Sequence, residues 1–348
     1  MNAPRTLRAA VAALALALSC GVAAAGQTLI PTPAAAPAPA QAQLPAQPQP
    51  QPPAPREDPA RVAEAMGFRS QIITGDDSEV TRRIAEDLYK RLLPTFAAFR
   101  TELAQRHRML YVAIGPAALR DAISRRCDCV IISAFTSSQV WRSLTSKLPP
   151  ARAARYTAVY AEPAPADQLR LAALLYGRPT RVSAILGRET AFLRPAIEAD
   201  VDVQSFVPGD DINHTLNQMT RAEVLLALPD GDVYNPENVR NILLSTYRRK
   251  QGVIGFSADM VKVGALATTY SEIEDINTQV AEIAANYVAT GELAPPQFPH
   301  YFRTVVNEGV ARSLDLRVSN EARSFARLPA RQAVRPAARP AASAPPAP

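Results

Sequence analysis

Three observations predict an α/β protein built on parallel sheets. From Arg69 onward, short apolar runs alternate with helix-length stretches, the rhythm of strands joined by helical crossovers. Most runs stop at Gly, Pro, Ser or Asp, and polar or aromatic side chains recur at those same ends. The pattern also comes twice, as successive sets of about 100 residues, which suggests two similar lobes.

In the first set, Arg69 to Thr74 is a short strand that stops at Gly75-Asp76-Asp77. The helix after it carries Val80, Ile84, Leu88 and Leu92 at four-residue spacing, one apolar stripe. Met109 to Ile114 is the next strand, halted by Gly115-Pro116, with Ala117 to Arg125 as its helix. Cys129 to Ser133 is a third strand, and Ser133 to Ser138 turns it into a helix around Trp141. Tyr156 to Tyr160 is a fourth, ending at Ala161-Glu162-Pro163.

The helix Asp167 to Leu175 leads through Arg178-Pro179 into the second set. Arg181 to Leu186 is a strand ending in Gly187-Arg188-Glu189-Thr190, and Pro195 kinks or starts the helix beyond it. Asp202 to Val207 is a strand, Thr215 to Met219 is helical, and Glu223 to Leu228 is the most apolar strand of this set. After Pro229-Asp230-Gly231-Asp232-Val233-Tyr234, Asn235-Pro236 opens a helix with a cap residue followed by Pro. Val253 to Phe256 reads as a strand buried on both faces, with Ser257-Ala258-Asp259 as its polar end. Gly264 to Ala267 starts another strand that finishes at Tyr270. Ser271 and Glu274 make a capping box for a helix with Ile273, Ile276, Val280, Ile283 and Tyr287 on one face and Gly291 past its end. Tyr301 to Val306 is a late strand, and Asn307 to Leu314 a short helix.

Much of the chain is not domain. Pro31 to Pro59 holds eleven prolines among Ala and Gln, and Pro329 to Pro348 holds six more. Such stretches bury too little apolar surface to offset ordering, so a solvated linker (26–61) and tail (323–348) are expected. Residues 1–25 read as an export signal: Arg5 and Arg8, an apolar run from Ala9 to Leu18 too short to span a bilayer, and Ala23-Ala24-Ala25 for cleavage after Ala25. This places the protein in the periplasm. Cys20 offers a less favoured lipid-anchored start, since Ala17 stands where Leu is usual.

The formal charge of +6 resides in the ends. Without the leader and tail arginines the body is near neutral and gives no footprint for nucleic acid. Cys127 and Cys129 read as small buried side chains at a strand start, because a bridge between strand residues two apart is strained. His107, His214 and His300 are scattered, so no metal and no cofactor is expected. There is no G-x-S-x-G elbow, no P-loop and no G-x-G-x-x-G fingerprint, and the chain is not expected to be an enzyme.

The candidate binding residues are those at the strand ends: Thr136, Ser137, Tyr160, Glu162, Asp230, Tyr234, Phe256, Ser257, Asp259 and Tyr270. Carboxylates can hold an ammonium group, hydroxyls and backbone N–H groups a carboxylate, and aromatic faces an apolar or cationic part. The plainer alternative makes Asp230 and Ser257 turn or cap residues and Phe256 core.

The segments LLALPD (Leu225 to Asp230), PENVRNIL (Pro236 to Leu243), VIGFSADMVKVGALA (Val253 to Ala267), TGE (Thr290 to Glu292) and TVVNEGVARSLDL (Thr304 to Leu316) carry a family resemblance. This part of the chain resembles ABC-transporter substrate-binding proteins of the periplasmic-binding-protein type I fold. The resemblance implies two Rossmann-like lobes with parallel sheets joined by a hinge, the chain crossing between them three times. It places residues 62–165 and 253–294 in lobe 1, and 166–252 and 295–322 in lobe 2. It makes Asp230 the acidic contact from lobe 2, with Ser257 and Asp259 on the lobe 1 side and Tyr270 at the cleft wall. Glu162 stands where relatives usually carry Asp before the Pro. Thr74-Gly75-Asp76-Asp77 replaces a usual His-Pro pair, and Gly187-Arg188-Glu189 a usual Tyr-Asn-Pro loop. The implied function is an exported, monomeric receptor that binds a small polar or amino-acid-like ligand for an inner-membrane ABC permease. The departures and the Pro-rich flanks motivate an alternative, a non-transport sensor or interaction module serving a sensor kinase or outer-membrane protein.

Overall fold

The computed structural model describes residues 70–98, 109–125 and 127–330. The stretches expected to be an export signal and a Pro-rich linker, and the chain beyond 330, lie outside the described residues.

The fold is mixed α/β with two sheets. The first part of the chain runs β1 (Ser70–Thr74), α1 (Glu79–Ala98), β2 (Met109–Ile114), α2 (Gly115–Ser124), β3 (Cys129–Thr136), α3 (Ser138–Thr145), α4 (Pro150–Ala153) and β4 (Tyr156–Tyr160). Its strands pair in parallel in the order β1-β2-β3-β4. Because side chains alternate along a strand, Leu110, Val112, Val130 and Ile132 pack under α1, while Tyr111, Ala113, Cys129 and Ile131 pack against α2 and α3. Ile84, Leu88 and Leu92 form the buried stripe of α1, but Val80, in its first turn, is 60% exposed.

The second part begins with α5 (Pro165–Tyr176) and β5 (Val182–Leu186). A 3-10 turn (Ala191–Leu193) and α6 (Arg194–Ile197) follow, with Pro195 inside the first turn of α6. Then come β6 (Val201–Ser205), α7 (Ile212–Gln218), β7 (Val224–Leu226), α8 (Pro236–Arg248), β8 (Gly252–Ile254), α9 (Ala258–Lys262) and β9 (Ala267–Tyr270). The chain ends with α10 (Ile273–Thr290), β10 (Arg303–Val306), α11 (Glu308–Ser313) and α12 (Asn320–Ser324). The second sheet is ordered β10-β9-β8-β7-β5-β6, parallel except for β10.

This order corrects the expected boundary. The resemblance assigned Val253 to Gly291 to the first lobe, whereas β8 and β9 belong to the second sheet. Val253 registers against Leu225 of β7, and Leu266 N–H donates to Val253 O at 2.8 Å. What crosses back is α10, burying Ile276, Val280, Ile283 and Tyr287 in the first core, and the segment after it, where Gln297 bridges Val159 of β4. The chain therefore crosses between lobes three times, after β4, between β9 and α10, and between α10 and β10. The expected tail also starts later than Arg323. Phe302 and Arg327 pair antiparallel, and the Phe325 ring lies 5.1 Å from that of Phe302.

Two local expectations shift for visible reasons. The capping box on α10 is Glu272 with Asp275, not Ser271 with Glu274. Ser271 Oγ instead donates to Tyr301 O at 2.6 Å, which ties the second crossing to the third. Cys127 and Cys129 are disulfide-bonded, with Cα atoms 5.3 Å apart, an ordinary separation for a bridge. Cys127 precedes β3 and Asp128 lies in a bend, so the two side chains are not held to the spacing of a regular strand.

Buried amides pin the crossings. Gln168 Nε2 donates to Gly255 O and Thr268 Oγ1, both at 2.8 Å, and Gln168 Oε1 accepts from Thr269 N at 3.0 Å. Gln279 Oε1 accepts from His300 N at 2.7 Å and its Nε2 donates to Phe298 O at 3.2 Å. Arg303 of β10 pairs with Asp275 and Glu272 at the start of α10. Among the described residues no helix is long and apolar enough to cross a membrane.

Candidate functional site

Ligands of open α/β sheets bind outside the carboxyl ends of the strands. In the first lobe those ends are shaped by an irregularity in β3. The β3–β4 register shifts between Ala134 and Thr136, and Phe135 takes a left-handed φ of 57°, a conformation costing a non-glycine residue about 1–3 kcal/mol. The bulge turns the chain abruptly into Ser137, the N-cap of α3, leaving Thr136 buried beneath it.

Glu162, just past β4, is drawn to that helix start. Its Oε1 accepts from Ser138 N at 2.9 Å, in keeping with the attraction of a helix N-terminus for negative charge. The side chain is only 5% exposed, and its Oε2 is buried without a hydrogen-bond partner. Gln139 Oε1 and Trp141 Nε1 are buried and unpartnered on the same helix. Burial drives the Glu162 pKa upward, opposed by the Ser138 hydrogen bonds.

Aromatic rings enclose the place. Tyr160 meets Trp141 edge to face at 5.9 Å and Phe298 at 5.1 Å. Desolvation, with the Glu162 charge adding to it, pushes the Tyr160 phenol up to about 12, so it remains a neutral donor at physiological pH. Arg142, one residue beyond Trp141, lays its guanidinium 5.0 Å above the Phe192 ring of the second lobe. The cluster therefore lies where the two lobes touch.

The second lobe's acid is differently placed. Asp230 is 2% exposed, and both carboxylate oxygens are occupied. Oδ2 accepts from Thr190 N (3.2 Å) and Thr190 Oγ1 (2.8 Å), while Oδ1 accepts from Asp232 N (3.1 Å) and Val233 N (3.2 Å). With four donors, its ordinary capacity is filled. Asp230 is thus a clamp between two loops rather than the free acidic contact that the resemblance implies. Gly187 completes the clamp, since a Cβ there would stand 2.6 Å from both Asp230 oxygens. Gly187→Ala is expected to cost about 1–3 kcal/mol through overpacking, read as a lower urea midpoint with an unchanged slope.

Tyr234 and Phe256 meet edge to face at 5.7 Å beside Asp230. Tyr234 is buried, and desolvation followed by the Asp230 charge raises its pKa against a hydrogen bond with the Leu228 backbone. Ser257 caps α9 by accepting from Met260 N at 3.3 Å. Asp259 is exposed and paired with Lys262 at 2.8 Å. Both lie in the second lobe, not on the first-lobe side as expected. Tyr270 closes β9 opposite Arg303, at the second crossing.

The ten predicted residues thus resolve into groups. Thr136, Ser137, Tyr160 and Glu162 converge at the start of α3, and Asp230, Tyr234 and Phe256 converge at the end of the second sheet. Ser257, Asp259 and Tyr270 stand apart in capping, solvent-facing and crossing positions. Sequence reasoning missed Ser138, Trp141, Arg142, Phe192 and Phe298. The tandem Ser137-Ser138 after a strand and the chain's single Trp were the available signals. Among the described residues no group of three or more His, Cys, Asp or Glu is placed to hold a metal ion.

No protein-family model matches the chain, and no curated protein is similar to it. Comparison with solved structures finds similarity to the ABC domain in complex with L-Trp from Streptococcus pneumonia, at 15% identity over 74% of this chain and 98% of that one, TM-score 0.46. A ligand-free, open substrate binding protein with adhesive properties from Clostridium difficile is 16% identical over 76% of this chain and 91% of that one, TM-score 0.47. A periplasmic ribose ABC transporter from Conexibacter woesei is 13% identical over 71% and 94%, TM-score 0.37.

Proposed function

We propose that this protein is an exported solute receptor that takes a small polar ligand between its lobes and presents it to an ABC permease, without covalent chemistry. The observation that carries the reading is the group of unpartnered buried atoms at the start of α3: Glu162 Oε2, Gln139 Oε1 and Trp141 Nε1. Buried polar atoms nearly always find partners, and these lie beside the Arg142–Phe192 contact between lobes. A ligand that satisfied them and also touched the second lobe would favour the closed arrangement, because only there would it gain both sets of contacts. An acceptor carboxylate, donor groups and an aromatic wall suit an ammonium-bearing, amino-acid-like molecule. The same set accommodates a polyhydroxylated ring, and the ribose protein among the structural neighbours makes sugars worth including.

The test is a thermal-shift screen of the protein with amino acids, small peptides, nucleosides, sugars and organic acids. A ligand at 100 times its Kd is expected to add about 2.7 kcal/mol of stability, a shift of several degrees. Failure of every class to move the midpoint would reject the receptor reading. The full occupation of Asp230 by its own loops favours a second reading, a non-transport interaction module of the same fold. Capture of a sensor kinase or outer-membrane protein in the absence of any small ligand, lost on deleting Pro329 to Pro348, would support that alternative.

A further inference from the structure

The Cys127–Cys129 disulfide lies at the far end of β3 from the Glu162 cluster. Cys129 opens the strand and Thr136 closes it, a separation of roughly 23 Å at strand rise. The bond encloses only Asp128. It therefore restricts the unfolded chain very little and makes a poor staple, since stabilisation by cross-linking grows with loop length. The two sulfurs differ in access. Cys129 is 3% exposed in the first core, whereas Cys127 is half-buried ahead of the strand.

Cationic side chains gather around this loop, Arg125 from its own segment and Arg152 and Arg155 from α4 and the turn after it. Arg155 pairs with Asp128, Arg152 donates to Arg125 O at 2.9 Å, and Arg125 lies over the Tyr111 ring while pairing with Asp121 at 2.7 Å. Among the described residues, three guanidinium groups thus stand against two carboxylates, a net positive setting of the kind that favours a released thiolate.

We infer that Cys127–Cys129 is a thiol–disulfide exchange site, separate from the interlobe cluster, and that its co-reactant is an external dithiol. A thiolate of the dithiol attacks Sγ of Cys127, the S–S bond breaks, and Cys129 leaves as a thiolate that takes a proton from water. The donor's second thiol, deprotonated to the solvent, attacks the donor sulfur of the mixed disulfide. This closes the donor's own disulfide and releases Cys127, which is protonated in turn. Two electrons and two protons pass from the dithiol to the protein.

The experiment uses the full chain, purified in air, incubated without denaturant in graded dithiothreitol, quenched with acid and alkylated with N-ethylmaleimide. Peptide mass mapping scores Cys127 and Cys129 separately from Cys20. Both are expected to gain the reagent only after reduction, to lose it when oxidised glutathione is restored before quenching, and to do so with unchanged far-UV circular dichroism. In a second arm, Cys129→Ser is expected to form a mixed disulfide with oxidised glutathione at Cys127 roughly tenfold faster than Cys127→Ser does at Cys129. A bond that opens only on unfolding overturns the inference, as do thiols already free in the untreated protein. Equal trapping rates overturn the assignment of Cys127 as the attacked sulfur.

Discussion

Asp230→Ala is expected to lower the unfolding free energy by several kcal/mol, since each buried donor left without an acceptor costs about 1–3 kcal/mol. The carboxylate holds four donors from two loops of the second lobe. Removing it leaves three buried or half-buried N–H groups and the Thr190 hydroxyl without acceptors, each incurring a desolvation cost. Asp230→Asn keeps one carbonyl oxygen and should recover part of the loss, because it still serves one pair of donors. Urea unfolding checks both variants. A loss below about 1 kcal/mol for the Ala variant would show that the loops find other acceptors. If instead Asp230 were a ligand contact, the variant would retain stability and lose affinity.

Glu162→Gln is expected to behave in the opposite way. Burial raises the Glu162 pKa above its ordinary value of 4.5, so folding favours the neutral carboxyl. The stability it contributes is fully present below the unfolded pKa and is lost as pH rises through the raised folded value. At pH 7 the unfolded chain ionises freely at this position whereas burial opposes ionisation of the native carboxyl, and Gln removes that difference while its carbonyl can keep accepting from Ser138 N–H. The variant should therefore unfold at higher denaturant than the parent at pH 7, and the gap should narrow as pH falls toward 4.5. Affinity for the ligand found by thermal shift should fall about 10- to 100-fold, the equivalent of one charge-assisted hydrogen bond. Calorimetry at pH 7 separates the two effects. A variant that is less stable and binds unchanged would remove Glu162 from the site.

Glu162 and Asp230 show where the sequence was informative and where it was not. Each sits at the end of an apolar strand beside a Pro or Gly, and the local signatures are nearly the same. What separates them is remote: Asp230 is claimed by Thr190, 40 positions earlier, whereas Glu162 is held by Ser138 at a helix start. The strand and helix rhythm was legible because runs such as Val130-Ile131-Ile132 announce burial on both faces. The same signal failed to say which sheet would receive Val253 to Tyr270, since apolarity reports burial and not partner. Trp141 and Phe298 were invisible as site residues because their meaning depends on Tyr160 standing between them. The disulfide was missed by treating Cys127 as part of a strand it precedes.

The crossing of α10 has a consequence for biosynthesis. The hydrophobic interior of the amino-terminal half is sealed by Ile276, Val280 and Ile283, which leave the ribosome only after every parallel strand of the other half. The portion that emerges first is therefore finished last. Until then, the apolar side of its sheet beneath α1 and α10 stays incompletely covered, an obvious surface for a holding chaperone to protect.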